Sequence, residues 1–392
     1  MKTRHTLMII SSITMMLLMG TVYAYSVFRY HIENLYQTNT LESGLPYMTS
    51  LFFYALSMMI SGRHLKPNRL RGFVFYGTLL IVLGWFLSGI SQSIYILMLS
   101  YGLLIGTGVG MVYGVPIYMV QKLYPSKSGL MTGIILLGFG MSPLITAPLS
   151  KYLIEITSIR HTFFIIGALF LIIQLPLSFL FILKERDTFK KEIADLRVHE
   201  KLKPFKRIYA LFVISTTVGL MMIGLTYQVG VRYYQLDERS VTMALSIFAI
   251  LNGVARPLFG RWMDQKGFKF SATLSVSLII LASVVGFINR GENFILFSVS
   301  FGLYWFNLGA WLAIVPATIK EFYGIKQYSK KYGIMFTGYG IGAILGTLVS
   351  GYIMDFFGNT TYIYGLIFGL MMISLIILSQ MPRIKKRPQL GV

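Results

Sequence analysis

The chain has 392 residues, 55% hydrophobic and only 12% charged, with a formal net charge of +21. Soluble domains carry about 25% charged residues, so half that share over this length excludes a string of soluble domains and predicts a polytopic membrane protein. There is no cysteine, which excludes disulfides, thiol chemistry and thiolate metal sites, and the basic residues sit in short segments between apolar runs, a topology signal rather than a nucleic-acid footprint.

The N-terminal MKTRHTLMIISSITMMLLMG is charged and then apolar, as a signal peptide is. Further spans follow it without a clear small-residue cleavage site, so it reads as the first span. Runs of bilayer length, roughly 20 residues, fall at 6–28, 44–62, 72–91, 94–119, 128–151, 161–183, 208–230, 240–260, 270–288, 293–318, 332–355 and 360–380. Between the sixth and seventh lies KERDTFKKEIADLRVHEKLKPFKR, with nine basic and five acidic residues. The expected fold is all-α and polytopic, with twelve transmembrane helices in two six-helix repeats. The halves are 1–183 and 208–381. A linker at 184–207 and a basic tail at 382–392 are expected to lie against anionic lipid headgroups.

Lysine and arginine give the orientation. With the N-terminus inside, the cytoplasmic segments hold 28 of them and the outer loops six: Arg29, Lys151, Arg160, Arg232, Arg239 and Arg290. The bias predicts that both termini are cytoplasmic; the membrane expected for such a carrier is the plasma membrane. The remaining one, Arg256, lies inside a span, where a charge costs about 2.5–3.5 kcal/mol on insertion scales.

An internal repeat divides the chain in two. MTGIILLGFGMSPLITAPLSKYLIE (131–155) aligns without gaps to KYGIMFTGYGIGAILGTLVSGYIMD (331–355), so Gly133, Gly138, Gly140, Ser150 and Tyr152 recur 200 positions later and Glu155 becomes Asp355. Two parallel six-helix repeats are the build of a rocking transporter with its site between the halves, working by alternating access. Gly102, Gly106, Gly110 and Gly114 share one face of the fourth span, as Gly338, Gly342 and Gly346 do on the eleventh. Such faces serve close static packing or sliding.

Gly260-x-x-x-Asp264-x-x-Gly267 after the eighth span resembles the loop motif of the major facilitator superfamily. The resemblance implies a gating latch, with Asp264 set at a neighbouring helix end. The first-half counterpart, Gly62 to Arg69, has lost the acid and the second glycine. Four further stretches resemble the oxalate/formate antiporter family, which carries small carboxylates: GTVYAYSVF (20–28), 106–140, NGVARPLFG (252–260) and 321–340. That resemblance implies an aromatic box around two cations. Arg256 matches the arginine. The lysine position reads Tyr339, the repeat partner of Phe139, and the aromatics map approximately to Tyr25, Tyr113, Phe139 and Phe336. On the tenth span the box positions read Leu308 and Leu312, with Tyr304 and Trp305 close by.

Arg256 offers a planar fork for one carboxylate. With tyrosine in place of lysine, a dianion would keep an uncompensated charge in a low-dielectric site, so a monocarboxylate of the formate, lactate or pyruvate type is expected. Asn252, one turn before Arg256, either orients the guanidinium or bonds a neighbouring helix. The alternative for Arg256 itself is snorkelling to the headgroups. No acid sits mid-span, which leans towards exchange, facilitated diffusion or a proton that travels with the substrate. The alternative functions are a proton-coupled drug or metabolite exporter and a non-transporting sensor on a transporter scaffold. No nucleophile–base pair, nucleotide loop or metal constellation is visible, so no enzyme, cofactor, metal or nucleic-acid partner is expected, and the carrier is expected to be a monomer.

Overall fold

The computed structural model describes residues 2–124, 127–181, 204–289 and 293–381. The expected linker up to residue 203, the tail 382–392 and the side chain of Asp355 lie outside the described residues.

Helix α1 runs Lys2–Met19, tightens into a 3-10 turn at Gly20–Ala24 and continues as Tyr25–Tyr36. Helix α2, Thr40–His64, starts at a capping box: Asn39 Oδ1 accepts from Glu42 N at 2.8 Å and the Glu42 carboxylate accepts from Asn39 N at 3.3 Å. Then come α3 (Leu70–Gly89), α4 (Ile94–Leu123), α5 (Ser128–Ile156), α6 (Ile159–Leu180) and α7 (Phe205–Tyr233). The helical run Glu238–Ile288 is two spans, α8 (238–266) and α9 (268–288), because the backbone leaves the helix at Gly267 with φ 79°. Gly324, at φ 67°, divides α10 (Phe294–Gly324) from α11 (Gln327–Met354) in the same way. A β-carbon opposes a positive φ and glycine admits it. Helix α12 is Thr361–Ser379.

Ten of these stretches are apolar and long enough to cross a bilayer, the α8–α9 pair counting as one. With that pair divided and the more polar, 25-residue α2 added, the described residues form the twelve-helix bundle that the periodicity predicts. Helix α7 begins at Phe205, a turn before the apolar run that signals it, because Phe205 and Tyr209 already stack at its start.

The glycine stripes pack within each half. A β-carbon on Gly102, Gly106 or Gly110 of α4 would strike Thr49, Ser50 or Tyr54 of α2, and one on Gly342 or Gly346 of α11 would strike Thr216 or Thr217 of α7. Both stripes thus form seams inside a half and not between the halves. The two halves meet along two other seams related by the repeat, α5 with α8 and α2 with α11. At the first, Gly133 meets the backbone of Arg256 and Pro257, Gly140 meets Asn252 and Gly253, and Gly129 meets Gly260. At the second, Gly62 meets the Ser329 carbonyl, Gly333 meets Met58 and Met59, and Gly340 meets Ala55. Residues 2 and 381 lie at one end of the bundle, its terminal end, and the distal end is the other.

Candidate functional site

Arg256 lies on α8 against the α5 seam and is 0% exposed. Its Nη1 donates to the Leu136 carbonyl of α5 at 2.8 Å and its Nη2 to Asn252 Oδ1 at 2.9 Å. Asn252, also fully buried, donates from Nδ2 to the Trp305 carbonyl of α10 at 2.7 Å. The asparagine therefore performs both of the tasks between which its sequence position leaves a choice. It bonds a neighbouring helix and, fixed by that bond, aims the fork. The guanidinium turns inward to α5, and α8 continues for more than two turns beyond it, so it does not snorkel.

The Arg256 carbon lies 5.5 Å from the Phe139 ring centroid. Around Phe139 stand Tyr23 at 5.1 Å, Tyr113 at 5.4 Å and Tyr54 at 6.2 Å between centroids. Phe336 packs on Tyr54, Tyr339 and Tyr113 at 5.0, 5.0 and 5.5 Å. The Tyr23 and Tyr339 hydroxyls are hydrogen-bonded at 2.7 Å, joining α1 to α11 across the halves. Arg256, Asn252, Tyr113, Phe139, Phe336 and Tyr339 thus come together at one level of the bundle. Tyr25 does not join them. Its ring stacks on Tyr47 at 5.5 Å and its hydroxyl donates to the Ser43 carbonyl at 2.7 Å, in a neighbouring cluster on the distal side.

Tyr23 and Tyr54 are members of the cluster that the motif reading passes over. Each had a signal. Tyr23 lies two residues from Tyr25, hence on nearly the opposite face of the same helix. The offset that sets Gly62 against Gly260 sets Tyr54 against Asn252.

The electrostatics are one-sided. Among the described residues no carboxylate pairs with Arg256, and its Nε has no hydrogen-bond partner. An isolated buried charge is strongly unfavourable, and an unmet buried donor costs about 1–3 kcal/mol more.

The terminal end is shut over this site. Asp264 accepts from Gly129 N at 3.2 Å and Leu130 N at 2.9 Å, so its carboxylate caps the first turn of α5, where the helix dipole favours negative charge. Beside it Lys320 of α10, mostly buried, donates to Ser128 Oγ at 2.6 Å. Gly260 allows the close approach to Gly129, and Gly267 turns the chain into α9. At the equivalent place in the first half the close approach persists between Gly62 and Ser329, with Lys66 where the acid would stand.

On the distal side a cleft lined by Tyr23, Tyr25, Arg29 and Tyr47 from the first half and by Leu220, Gly224 and Thr347 from the second descends to the Tyr23–Tyr339 pair. It opens outward, through Ser26, Arg29 and Gly224, into a wider cleft of about 360 Å³ that reaches Glu33, Gln228 and Glu238. At its mouth Arg29 faces Glu33 at 3.6 Å, Ser43 Oγ donates to Glu33 at 2.6 Å, and Lys151 of α5 pairs with Glu238 of α8 at 3.3 Å.

Twelve spans in two repeats, a buried polar and aromatic cluster where the halves meet, a carboxylate cap on one side of it and a cleft on the other have the build of a membrane carrier. The chain belongs to the Major Facilitator Superfamily, whose model matches it twice, over residues 7–231 and 208–390. It is a multi-pass membrane transporter of a small-molecule substrate. The uncharacterised MFS-type transporter YhjX of Escherichia coli is 23% identical over 348 residues, 86% of this chain and 85% of that protein. The oxalate:formate antiporter of Oxalobacter formigenes is 25% identical over 297 residues, 74% of this chain and 70% of the antiporter. Monocarboxylate transporter 12 of Xenopus laevis is 26% identical over 360 residues, 81% of this chain and 76% of that protein. The crystal structure of the human organic anion transporter MFSD10 superposes with a TM-score of 0.68 at 10% identity, over 94% of this chain and 99% of that one, and shares the fold.

Proposed function

We propose that the chain carries small monocarboxylates of the formate, lactate or pyruvate type by alternating access between its two halves, with Arg256 as the anchor for the carboxylate. The observation that carries this reading is the buried guanidinium with no counter-ion among the described residues and an unfilled Nε. A carboxylate supplies one negative charge and up to four acceptor lone pairs in the plane the fork requires. Asn252 aims the fork. Tyr23 and Tyr339 close the distal side over the bound anion, and Asp264 holds the terminal side shut. One cation balances one carboxylate, so a dianion such as oxalate is the poorer ligand. The similarity to the oxalate:formate antiporter and to monocarboxylate transporters supports the same class. In this reading the carrier works as a monomer in the plasma membrane with both termini cytoplasmic, the basic segments facing the cytoplasm.

The test is uptake in proteoliposomes. Arg256→Gln is expected to abolish carboxylate uptake while folding intact, since it removes a buried charge and keeps an amide for the Leu136 carbonyl. Full uptake by that variant would remove Arg256 from the site.

A further inference from the structure

On the terminal side of Arg256, four buried polar atoms have no hydrogen-bond partner among the described residues: the hydroxyls of Tyr113, Tyr332 and Tyr328 and Oε1 of Gln121. None of the four residues is more than 2% exposed. They form a column. Tyr328, Tyr332 and Phe336 recur every fourth residue of α11 and so share one face. The rings of Tyr328 and Tyr332 stack at 5.4 Å, and Tyr332 packs on Phe336 at 5.8 Å. Facing them on α4, Tyr113 packs on Phe336 and on the Phe139 ring that carries Arg256. Tyr332 lies beside Tyr113, and Tyr328 beside Gln121, without the geometry of a hydrogen bond. Gln121, fixed through Nε2 on Thr132 of α5 at 2.9 Å, marks the lower end.

Phenylalanine would pack as well as tyrosine at each of the three ring positions and leave no hydroxyl unsatisfied. Three hydroxyls in a row, each desolvated without a bond, lie between a helix of the first half and a helix of the second. When the halves part at the terminal end, α4 and α11 part with them, and the hydroxyls then meet whatever passes. Phenolic O–H groups donate to an anion without contributing a fixed charge. They hold it more weakly than a guanidinium does. A site that must release its ligand needs that weakness.

We propose that Tyr332 and Tyr328, with Tyr113 shared with the Arg256 site, form a second, lower-affinity station for a small carboxylate on the terminal side. The station acts after Arg256 lets go and before the anion reaches solvent. It rests on the carboxylate reading above. The experiment uses full-length chain carrying Tyr328→Phe, Tyr332→Phe or both, with labelled formate and lactate as probes. Uptake is measured in vesicles of each polarity, and polarity is scored by protease access to a terminal tag. The half-saturation concentration is expected to rise about tenfold where the terminal end faces the probe, the effect of one lost bond to a charged group. It is expected to stay unchanged in the other polarity. The thermal midpoint of the purified, ligand-free variants is expected to hold or rise, because an unpartnered hydroxyl has been removed. An equal change in both polarities, or none, as water alone in the column would give, overturns the station. So does a lowered midpoint, which would mean that the hydroxyls make native bonds. Wild-type protein that neither binds nor carries formate or lactate overturns the carboxylate reading and the station with it. Wild-type transport that the variants leave unaltered overturns the station alone.

Discussion

Replacing Asp264 by asparagine leaves one acceptor oxygen where two now cap α5 and removes the negative charge from the helix N-terminus. A hydrogen bond to a charged group is worth about 1.5–3 kcal/mol, and the dipole contribution adds about 0.3–1 kcal/mol. Some of this is recovered from water once the end opens, so about 1.5–3 kcal/mol is the expected bias lost by the terminally closed state. That is a shift of roughly 10- to 100-fold towards opening at that end. The chain has no cysteine, so a single reporter is unambiguous. Gln121→Cys places one at a position 1% exposed beside α5. A membrane-impermeant maleimide should label it at least about tenfold faster in the Asp264→Asn background, in proportion to the shifted equilibrium. Equal labelling rates in the two backgrounds would refute the latch, because the carboxylate would then hold nothing that moves.

Three further outcomes follow from the same geometry. Gly133→Ala drives a β-carbon into the backbone of Arg256 and Pro257, 2.5 Å away, so uptake should collapse, whereas Gly369→Ala, which meets nothing within 4 Å, should leave it unchanged. Tyr23→Phe breaks the hydroxyl bond to Tyr339 that separates the distal cleft from Arg256, and should raise the exchange rate or weaken substrate retention in counterflow more than Tyr25→Phe, whose ring lies outside the cluster. Tyr339→Lys brings a second cation to the level of Arg256, and competition assays should then show oxalate gaining on lactate; an unaltered preference would take Tyr339 out of substrate contact.

Much of this was legible in the sequence, and the reasons are physical. Apolar runs of bilayer length mark the spans because lipid leaves few alternatives to a helix. The 200-residue repeat set Phe139 against Tyr339, and both stand in one cluster because the halves repeat in space as they do in sequence. The Asp264 spacing placed a carboxylate within reach of a helix end, and the end it caps belongs to α5. Legibility failed where a two-residue difference decides a face. Tyr25 and Tyr23 sit at the junction of the 3-10 turn Gly20–Ala24 with the following helix, where rotation per residue changes, and the motif could not say which ring turns inward. The glycine stripes had a legible face but no legible partner, since spacing alone does not distinguish a seam within a half from one between halves. The partners of Arg256 were half visible. Asn252 is one turn away on the same helix, whereas the Leu136 carbonyl, like the Trp305 carbonyl that fixes Asn252, is a backbone atom of another helix and carries no residue signal.

Neutralisation of the buried Arg256 charge by a carboxylate is read from the thermal midpoint of the purified protein against a concentration series of formate, lactate and oxalate, for wild type and for Arg256→Gln. A ligand of the folded state stabilises it by about 2.7 kcal/mol at one hundred times its Kd, and continues logarithmically above that. Such a rise is expected in wild type with at least one of the monocarboxylates, a smaller one with oxalate, and none with any of the three in Arg256→Gln. No carboxylate-dependent rise in wild type, or the same rise in the variant, would rule out Arg256 as the carboxylate's anchor.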